Sequence, residues 1–237
     1  ADRKLTTIGI EKRLNPRLQP GQRERFISEV AVELDRPPYF GRMEELNLSG
    51  PPPLPPPPPA LTPESFSTES KQGNAIIFDT RNELEFNAAH IPGALSVWEA
   101  AVSRHGGWFL PNDRPLFLVT AEEGPEKTFR QLARIGYDDL PGWLAGGMLG
   151  WHTSGRKSDS IGMETVQELC LRLDRNENLC ILDVRGDNEL VVEGRIPGAS
   201  HIPLPQLPGR MGEVPDCGHL FIFCGTGRRS TVAASLL

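Results

Sequence analysis

Short, unbroken apolar runs alternate along this chain with segments whose apolar positions return every three or four residues. IIFD (76–79), LFLV (116–119), CILD (180–183) and LFIF (220–223) are runs of the first kind. Apolar at successive rather than alternate positions, they predict strands covered on both faces, as in a parallel sheet. Helical patterns follow LFLV and LFIF, giving β–loop–α units and an α/β fold of small parallel sheets flanked by helices. In such sheets ligands sit where strand C-terminal ends meet helix N-termini, which directs attention to the loops opening at Thr120 and Cys224. The front of the chain is sparser. KLTTIGI (4–10) reads as a strand, and residues 24–34, with Phe26, Val30 and Leu34 at helical spacing, read as one short amphipathic helix.

The main pattern occurs twice. IIFDTRNELEFNAAHIPGALSV (76–97) and CILDVRGDNELVVEGRIPGASHI (180–202) each run from an apolar strand into Asp-x-Arg, an acidic helical turn and Ile-Pro-Gly-Ala. Asp79 matches Asp183 and Arg81 matches Arg185, both 104 residues apart, and the same offset aligns LFLVTAEEG (116–124) with LFIFCGTGR (220–228). Solenoid repeats run roughly 20–50 residues, so a period near 104 means two copies of one domain. Each copy reads strand, helix, short strand, strand, helix. The second stops inside the helix after its loop, with no counterpart of residues 136–151, and this gives the expectation of a longer natural protein.

Composition adds a divider. Proline makes up 23 of 237 residues, about twice its usual share. Eight prolines lie in PPPLPPPPP (51–59), which must be extended polyproline II, roughly 28 Å long at ~3.1 Å per residue. The run reads as a spacer; its P-x-x-P would also suit an SH3-type module, but nothing flanking it adds a docking code. The expected organisation is an incomplete segment 1–50, a proline-rich linker 51–62, a first repeat 63–152 and a second repeat 153–237. Fifty residues with one short helix bury little surface, so 1–50 is expected to pack on an upstream domain or on another subunit.

Charge and cysteine usage narrow the chemistry. A net charge of −6 argues against a basic nucleic-acid surface, and no apolar run approaches the roughly 18 residues a bilayer span needs. ADRKLTTIG lacks the apolar core of a secretory signal, which favours the cytoplasm. The four cysteines (170, 180, 217 and 224) are too few and too lopsided for a disulfide scaffold, and none are spaced C-x-x-C. The five histidines form no H-x-H or H-E-x-x-H cluster, so neither metal nor cofactor is expected in this chain. Cys170 shares a helix face with Val166, Leu169 and Leu173 and reads as core, as does Cys180 at the start of a buried strand. Cys217, in a loop, reads as open to solvent.

Cys224 is different. CGTGRRS (224–230) follows a strand and opens a helix, and its glycines let successive amides turn inward as a nest. Those donors join the positive end of the helix in an anion site, where a thiol should ionise more readily. Arg228 and Arg229 add charge, and no Asp or Glu occurs over 218–237. In the first repeat Thr120 takes the cysteine's place. Glu122, Glu123 and Glu126 put negative charge where an anion would bind, and Pro125 removes an amide donor, so that copy is expected to be non-catalytic.

Together, Asp-x-Arg, Ile-Pro-Gly-Ala and Cys-x-x-Gly-x-Arg-Ser resemble the rhodanese family of sulfurtransferases, over about residues 72–237 as a tandem pair. The resemblance implies that Cys224 is a nucleophile that takes a sulfane sulfur from thiosulfate or a persulfide and passes it to a thiol. It implies that Gly225, Thr226, Gly227, Arg228, Arg229 and Ser230 form the cradle, and that Asp183 and Arg185 are a structural pair beside it. Arg195 stands where many relatives carry histidine, at the pocket edge. GGMLGW (146–151) resembles the family's closing segment. Two other readings remain open: a scaffold that docks a sulfur-handling partner with Cys224 inert, and a cysteine-based phosphatase. The phosphatase places its arginine six residues after the cysteine, whereas Arg229 lies at plus five, a tighter loop better fitted to sulfur. TTIGIEKRLNPRL (6–18) and PPYFGRMEELNLSGPP (37–52) resemble a terminal segment of metallo-β-lactamase-fold hydrolases and persulfide dioxygenases. That implies a fusion whose H-x-H-x-D-H metal cluster would precede Ala1.

Overall fold

The structure, a computed structural model, describes residues 5–18, 23–31, 36–121 and 123–237. The chain forms two compact units, 1–37 and 38–237. In the first, α1 (Ile8–Leu14) starts at Thr7, whose hydroxyl accepts the Ile10 amide at 3.2 Å, and α2 spans Arg23–Val30. The strand expected over 4–10 is thus a helix from Ile8 onward. A threonine cap with Glu11 in the first turn outweighs the β-branched pattern where no strand among the described residues offers pairing. The helix expected over 24–34 is found at 23–30, with Val30 exposed; its expected last contact, Leu34, falls outside the described residues.

The second unit runs in chain order through α3 (Phe40–Ser49), β1 (Ala60–Leu61), α4 (Pro63–Glu69), β2 (Ile76–Asp79), α5 (Glu83–Ala88) and β3 (Leu95–Ser96). There follow the short α6 (Gly107–Phe109), β4 (Leu116–Val119), α7 (Glu126–Arg134), β5 (Gly142–Leu144) and α8 (Gly147–Thr153). The second repeat supplies α9 (Val166–Asp174), β6 (Cys180–Asp183), α10 (Asp187–Glu193), β7 (Ser200–His201), β8 (Leu220–Phe223) and α11 (Arg228–Leu236). Two parallel sheets result, ordered β1-β5-β4-β2-β3 and β7-β6-β8, with helices on their faces. Registers repeat as the sequences do: Asp79 lies beside Val119, and Asp183 beside Phe223.

Segment 40–49 belongs with the repeats rather than with 1–37. Tyr39 packs so close to Gly107 that a side-chain carbon there would overlap its ring, and Arg42 donates to the Gly136 carbonyl at 3.1 Å. The proline run therefore leads from α3 to β1, both seated on the first repeat, and does not separate folded units. It also ends sooner than the expected 62. The Pro59 carbonyl accepts the Trp143 amide at 3.0 Å, Ala60 and Leu61 pair with β5, and Thr62 caps α4.

One apolar cluster spans both repeats, joining Phe78, Leu118 and Leu132 to Leu182, Ile202 and Val232. A second fills the other face of the first sheet around Phe66, Phe117 and Trp151. Polar contacts fasten α11 across the seam: Asn87 Nδ2 donates to Thr231 Oγ1 at 3.0 Å, and the Ser96 amide to Ser235 Oγ at 3.0 Å. The helix behind the Cys224 loop thus rests on the first repeat as much as on its own sheet.

Two cysteine assignments need correction. Cys170 is exposed, and of its expected helix face only Leu169 is buried. The counterpart helix α4 packs on β5, whereas among the described residues no strand pairs with the outer edge of β8, so α9 has little to cover. Cys180 is half-buried and joined to Cys217 in a disulfide, their Cα atoms 6.4 Å apart. The Cys180 amide donates to the His219 carbonyl at 2.9 Å, which draws the loop carrying Cys217 onto the strand.

Candidate active site

Strand β8 delivers Cys224 to the C-terminal edge of the second sheet, and α11 begins four residues later. Gly227, the residue before the helix, has φ +88°, a left-handed conformation that a side chain rarely tolerates. That turn points amides at sulfur. The Gly227 amide donates to Cys224 Sγ at 3.2 Å and the Ser230 amide at 3.4 Å, while Ser230 Oγ lies 3.6 Å away. Burial, to 7% exposure, pushes the Cys224 thiol up. Hydrogen bonds from the Thr226 amide, the Ser230 hydroxyl and the amides of Ser230 and Gly227 outweigh it, and the net direction is down. Peptide dipoles here do what a cation would otherwise do.

The two arginines do not join that cradle. Arg229 turns to Glu189 on α10, Nη1 to Oε2 at 2.5 Å and Nη2 to Oε1 at 2.7 Å. Arg229 holds the Glu189 carboxyl well down, at about 2, against a smaller opposing cost of desolvation. Arg228 reaches across the seam to Glu83, its Nε 3.3 Å from both carboxylate oxygens, with its guanidinium 5.6 Å from the Trp98 ring centre. The absence of acidic residues over 218–237 suggested uncompensated positive charge. The fold supplies the carboxylates from elsewhere, Glu189 from the same repeat and Glu83 from the other. Gly225 and Thr226 are exposed at the tip of the loop.

Around this loop Asp183 and Arg185 form a buried pair, Nη2 to Oδ2 at 2.7 Å, and Arg185 also donates to the Gly194 carbonyl at 3.0 Å. The first repeat builds the same clamp from Asp79 and Arg81 at 2.6 Å. Arg195 is exposed and makes no ion pair among the described residues, while its counterpart His90 stacks on Phe86 with ring centres 4.1 Å apart. Behind Trp98, at 5.5 Å between ring centres, sits His105. Burial and then the charges of Arg104 and Arg229 lower its pKa to about 4, so it is neutral at pH 7.

Sequence reasoning missed Glu83, Trp98 and Glu189. Glu189 was within reach: Asp-x-Arg-x-x-x-Glu occurs at 79–85 and again at 183–189, so the repeat itself marks it. Nothing in the sequence pairs Glu83 or Trp98 with residue 228, because that contact exists only once the repeats dock.

The Thr120 loop differs throughout. Thr120 Oγ1 donates to the Ala121 carbonyl at 3.2 Å, α7 begins only at Glu126, and Pro125 precedes it without an amide to offer. Glu85, Glu99 and Glu123 line the small cavity of about 230 Å³ beside it; Glu122 lies outside the described residues. Among the described residues no group of three or more His, Cys, Asp or Glu could hold a metal ion, and no helix is long and apolar enough to cross a membrane.

The chain shares 35% identity with the Bacillus subtilis protein YrkF over 85 residues, covering 36% of this chain and 45% of that one. It shares 34% with a sulfurtransferase of Allochromatium vinosum over 71 residues, covering 30% and 65%. It therefore spans less than two thirds of the curated relatives it matches. Among solved structures it is similar to a thiosulfate sulfurtransferase from Pseudomonas aeruginosa, at 21% identity and a TM-score of 0.36 over 84% of this chain and 43% of that one. The profile of the rhodanese-like domain matches residues 62–154 and again 165–237. Those two stretches make up more than half of the chain, and they place it in the rhodanese-like family.

Proposed function

We propose that the chain is a sulfurtransferase that carries one sulfane sulfur at a time on Cys224. The observation that supports this most is the convergence of the Gly227 and Ser230 amides on Sγ, at 3.2 and 3.4 Å, in a loop that keeps the thiol pKa down. The Cys224 thiolate attacks the outer sulfur of thiosulfate, the S–S bond of the donor breaks, and sulfite leaves with the bonding pair. With a persulfide donor the leaving group is the thiolate. The new Cys224 persulfide anion inherits the amide donors that held the thiolate, which stabilise it as an oxyanion hole stabilises developing charge. An acceptor thiolate then attacks the outer sulfur and regenerates the Cys224 thiolate. No proton or electron is gained or lost over the cycle.

Incubation with thiosulfate followed by intact mass measurement tests this. Wild type should gain one sulfur atom and Cys224→Ser none; no gain on wild type, or equal gain on the variant, ends the reading. The cycle uses no metal or cofactor in this chain. The likeness of 6–18 and 37–52 to metallo-β-lactamase-fold enzymes extends the proposal to a sulfur-metabolising fusion, working in the cytoplasm, in which residues 1–50 contact an upstream catalytic domain or a second subunit. An H-x-H-x-D-H cluster encoded before Ala1 would support it, and its absence from the full gene would remove it.

A further inference from the structure

The loop's two arginines are held very differently. Arg229–Glu189 is short, bidentate and built within one repeat, at 2.5 and 2.7 Å. Arg228–Glu83 is long, at 3.3 Å to both oxygens, and crosses the seam between repeats. The Arg228 side chain is 50% exposed and that of Glu83 18%. Arg228 is also the direct neighbour of Gly227, whose amide touches Sγ. A cation four residues from the nucleophile, and next to a glycine whose amide holds its sulfur, is therefore drawn sideways by a carboxylate and an aromatic face of the other repeat, Glu83 and Trp98.

Building on the sulfurtransferase reading, we propose that Glu83 of the first repeat sets the charge preference of the Cys224 site by withholding Arg228 from incoming donors. A dianionic donor gains Arg228 only by drawing it off Glu83 and approaches against that carboxylate's charge. A donor with less charge, such as the persulfide of a small uncharged thiol, has little use for Arg228 and is not disfavoured. On this view the first repeat, without a nucleophile of its own, is a specificity element. Glu83 is a positioning residue that acts through Arg228 and touches no reacting atom.

The pairing is weak enough to be displaced. An ion pair open to solvent on its arginine side shifts equilibria by about threefold, so the latch tunes the site without closing it. Among the described residues Arg228 forms its ion pair with Glu83 of the first repeat, and its neighbour on α11, Arg229, is already paired with Glu189.

The test compares Glu83→Gln with wild type, reading two quantities. The first is steady-state transfer from thiosulfate and from a persulfide of an uncharged thiol. KM for thiosulfate should fall about threefold with kcat unchanged, KM for the persulfide should fall less, and high salt should erase the difference. The second needs no sulfur transfer. The rate of Cys224 alkylation by iodoacetate, an anion, divided by that for iodoacetamide, which is neutral, should rise about threefold. In an Arg228→Gln background the Glu83→Gln effect should shrink. An unchanged alkylation ratio, or an effect of Glu83→Gln that persists in full without Arg228, overturns the proposal. Loss of sulfur transfer in wild type would overturn the sulfurtransferase reading instead and leave the alkylation ratio to decide this one.

Discussion

The two repeats carry nearly the same text and fold it to different ends. β4 and β8 have almost matching sequences, LFLV and LFIF, yet every residue of β4 is buried and every residue of β8 is only half-buried. β4 is flanked by β2 and β5; β8 pairs with β6 alone among the described residues, and beside its outer edge lies an open groove of about 450 Å³. The loops invert that ranking. The well-packed repeat ends its strand in Thr120 and an amide-poor, acidic turn, whereas the looser one ends in Cys224 and a turn whose amides converge on sulfur. Chemistry is thus divided unequally between the copies, and the cross-seam contacts of α11 tie the second to the first.

The strongest test of that division moves the thiol. In a Thr120→Cys, Cys224→Ser protein the nucleophile sits at the matching strand end of the better-packed repeat. It should take up no sulfur from thiosulfate, a complete loss by intact mass. The helix there starts six residues after position 120 against four after 224, Pro125 offers no amide, and Glu123 and Glu126 repel the donor. Uptake at position 120 would show that a strand-end thiol suffices, and that the nest around Cys224 is incidental.

A second test concerns the sheets. Leu118 is completely buried at the centre of β4, so Leu118→Ala should cost about 3 kcal/mol in urea unfolding, from lost transfer energy and the cavity left behind. Ile222, its counterpart on β8, is already half in solvent, and Ile222→Ala should cost about 1 kcal/mol. Equal costs would mean that the edge of β8 is covered in solution.

Much of this was legible in the sequence, for physical reasons that differ by element. Apolar runs ending in Asp-x-Arg located β2 and β6 because a buried strand needs continuous apolar positions and a buried carboxylate needs its own partner, which Arg81 and Arg185 provide two residues on. The Cys224 loop was legible because glycine spacing constrains amides directly. What escaped was set by neighbours. The exposure of Cys170 depends on how far α9 is covered, and the pairing of Cys180 with Cys217 on a loop folding back to a strand start. The partners of Arg228 and Arg229 lie 145 and 40 residues away, beyond any local pattern.

The smallest effect separates the two arginines' roles by pH. Arg229 holds the Glu189 carboxyl down at about 2, from an ordinary value of 4.5. A carboxylate whose pKa is depressed by folding adds stability that is present above its unfolded value and is lost as pH falls through the folded one. The loss should therefore develop between pH 4.5 and about 2. Both side chains are about a third exposed, and solvent screening cuts the contribution to about 1 kcal/mol. Glu189→Gln should be less stable than wild type by that amount at neutral pH, and the gap in urea unfolding should close as acid protonates the wild-type carboxyl. The first repeat carries a glutamate at the same place, Glu85, but its carboxylate accepts the Asn82 amide at 3.2 Å and forms no ion pair with an arginine among the described residues. Glu85→Gln should consequently cost less stability at neutral pH than Glu189→Gln. If the two variants behave alike, the Arg229 pair contributes nothing beyond the helix cap that both glutamates share, and the second repeat's loop is steadied by its amides alone.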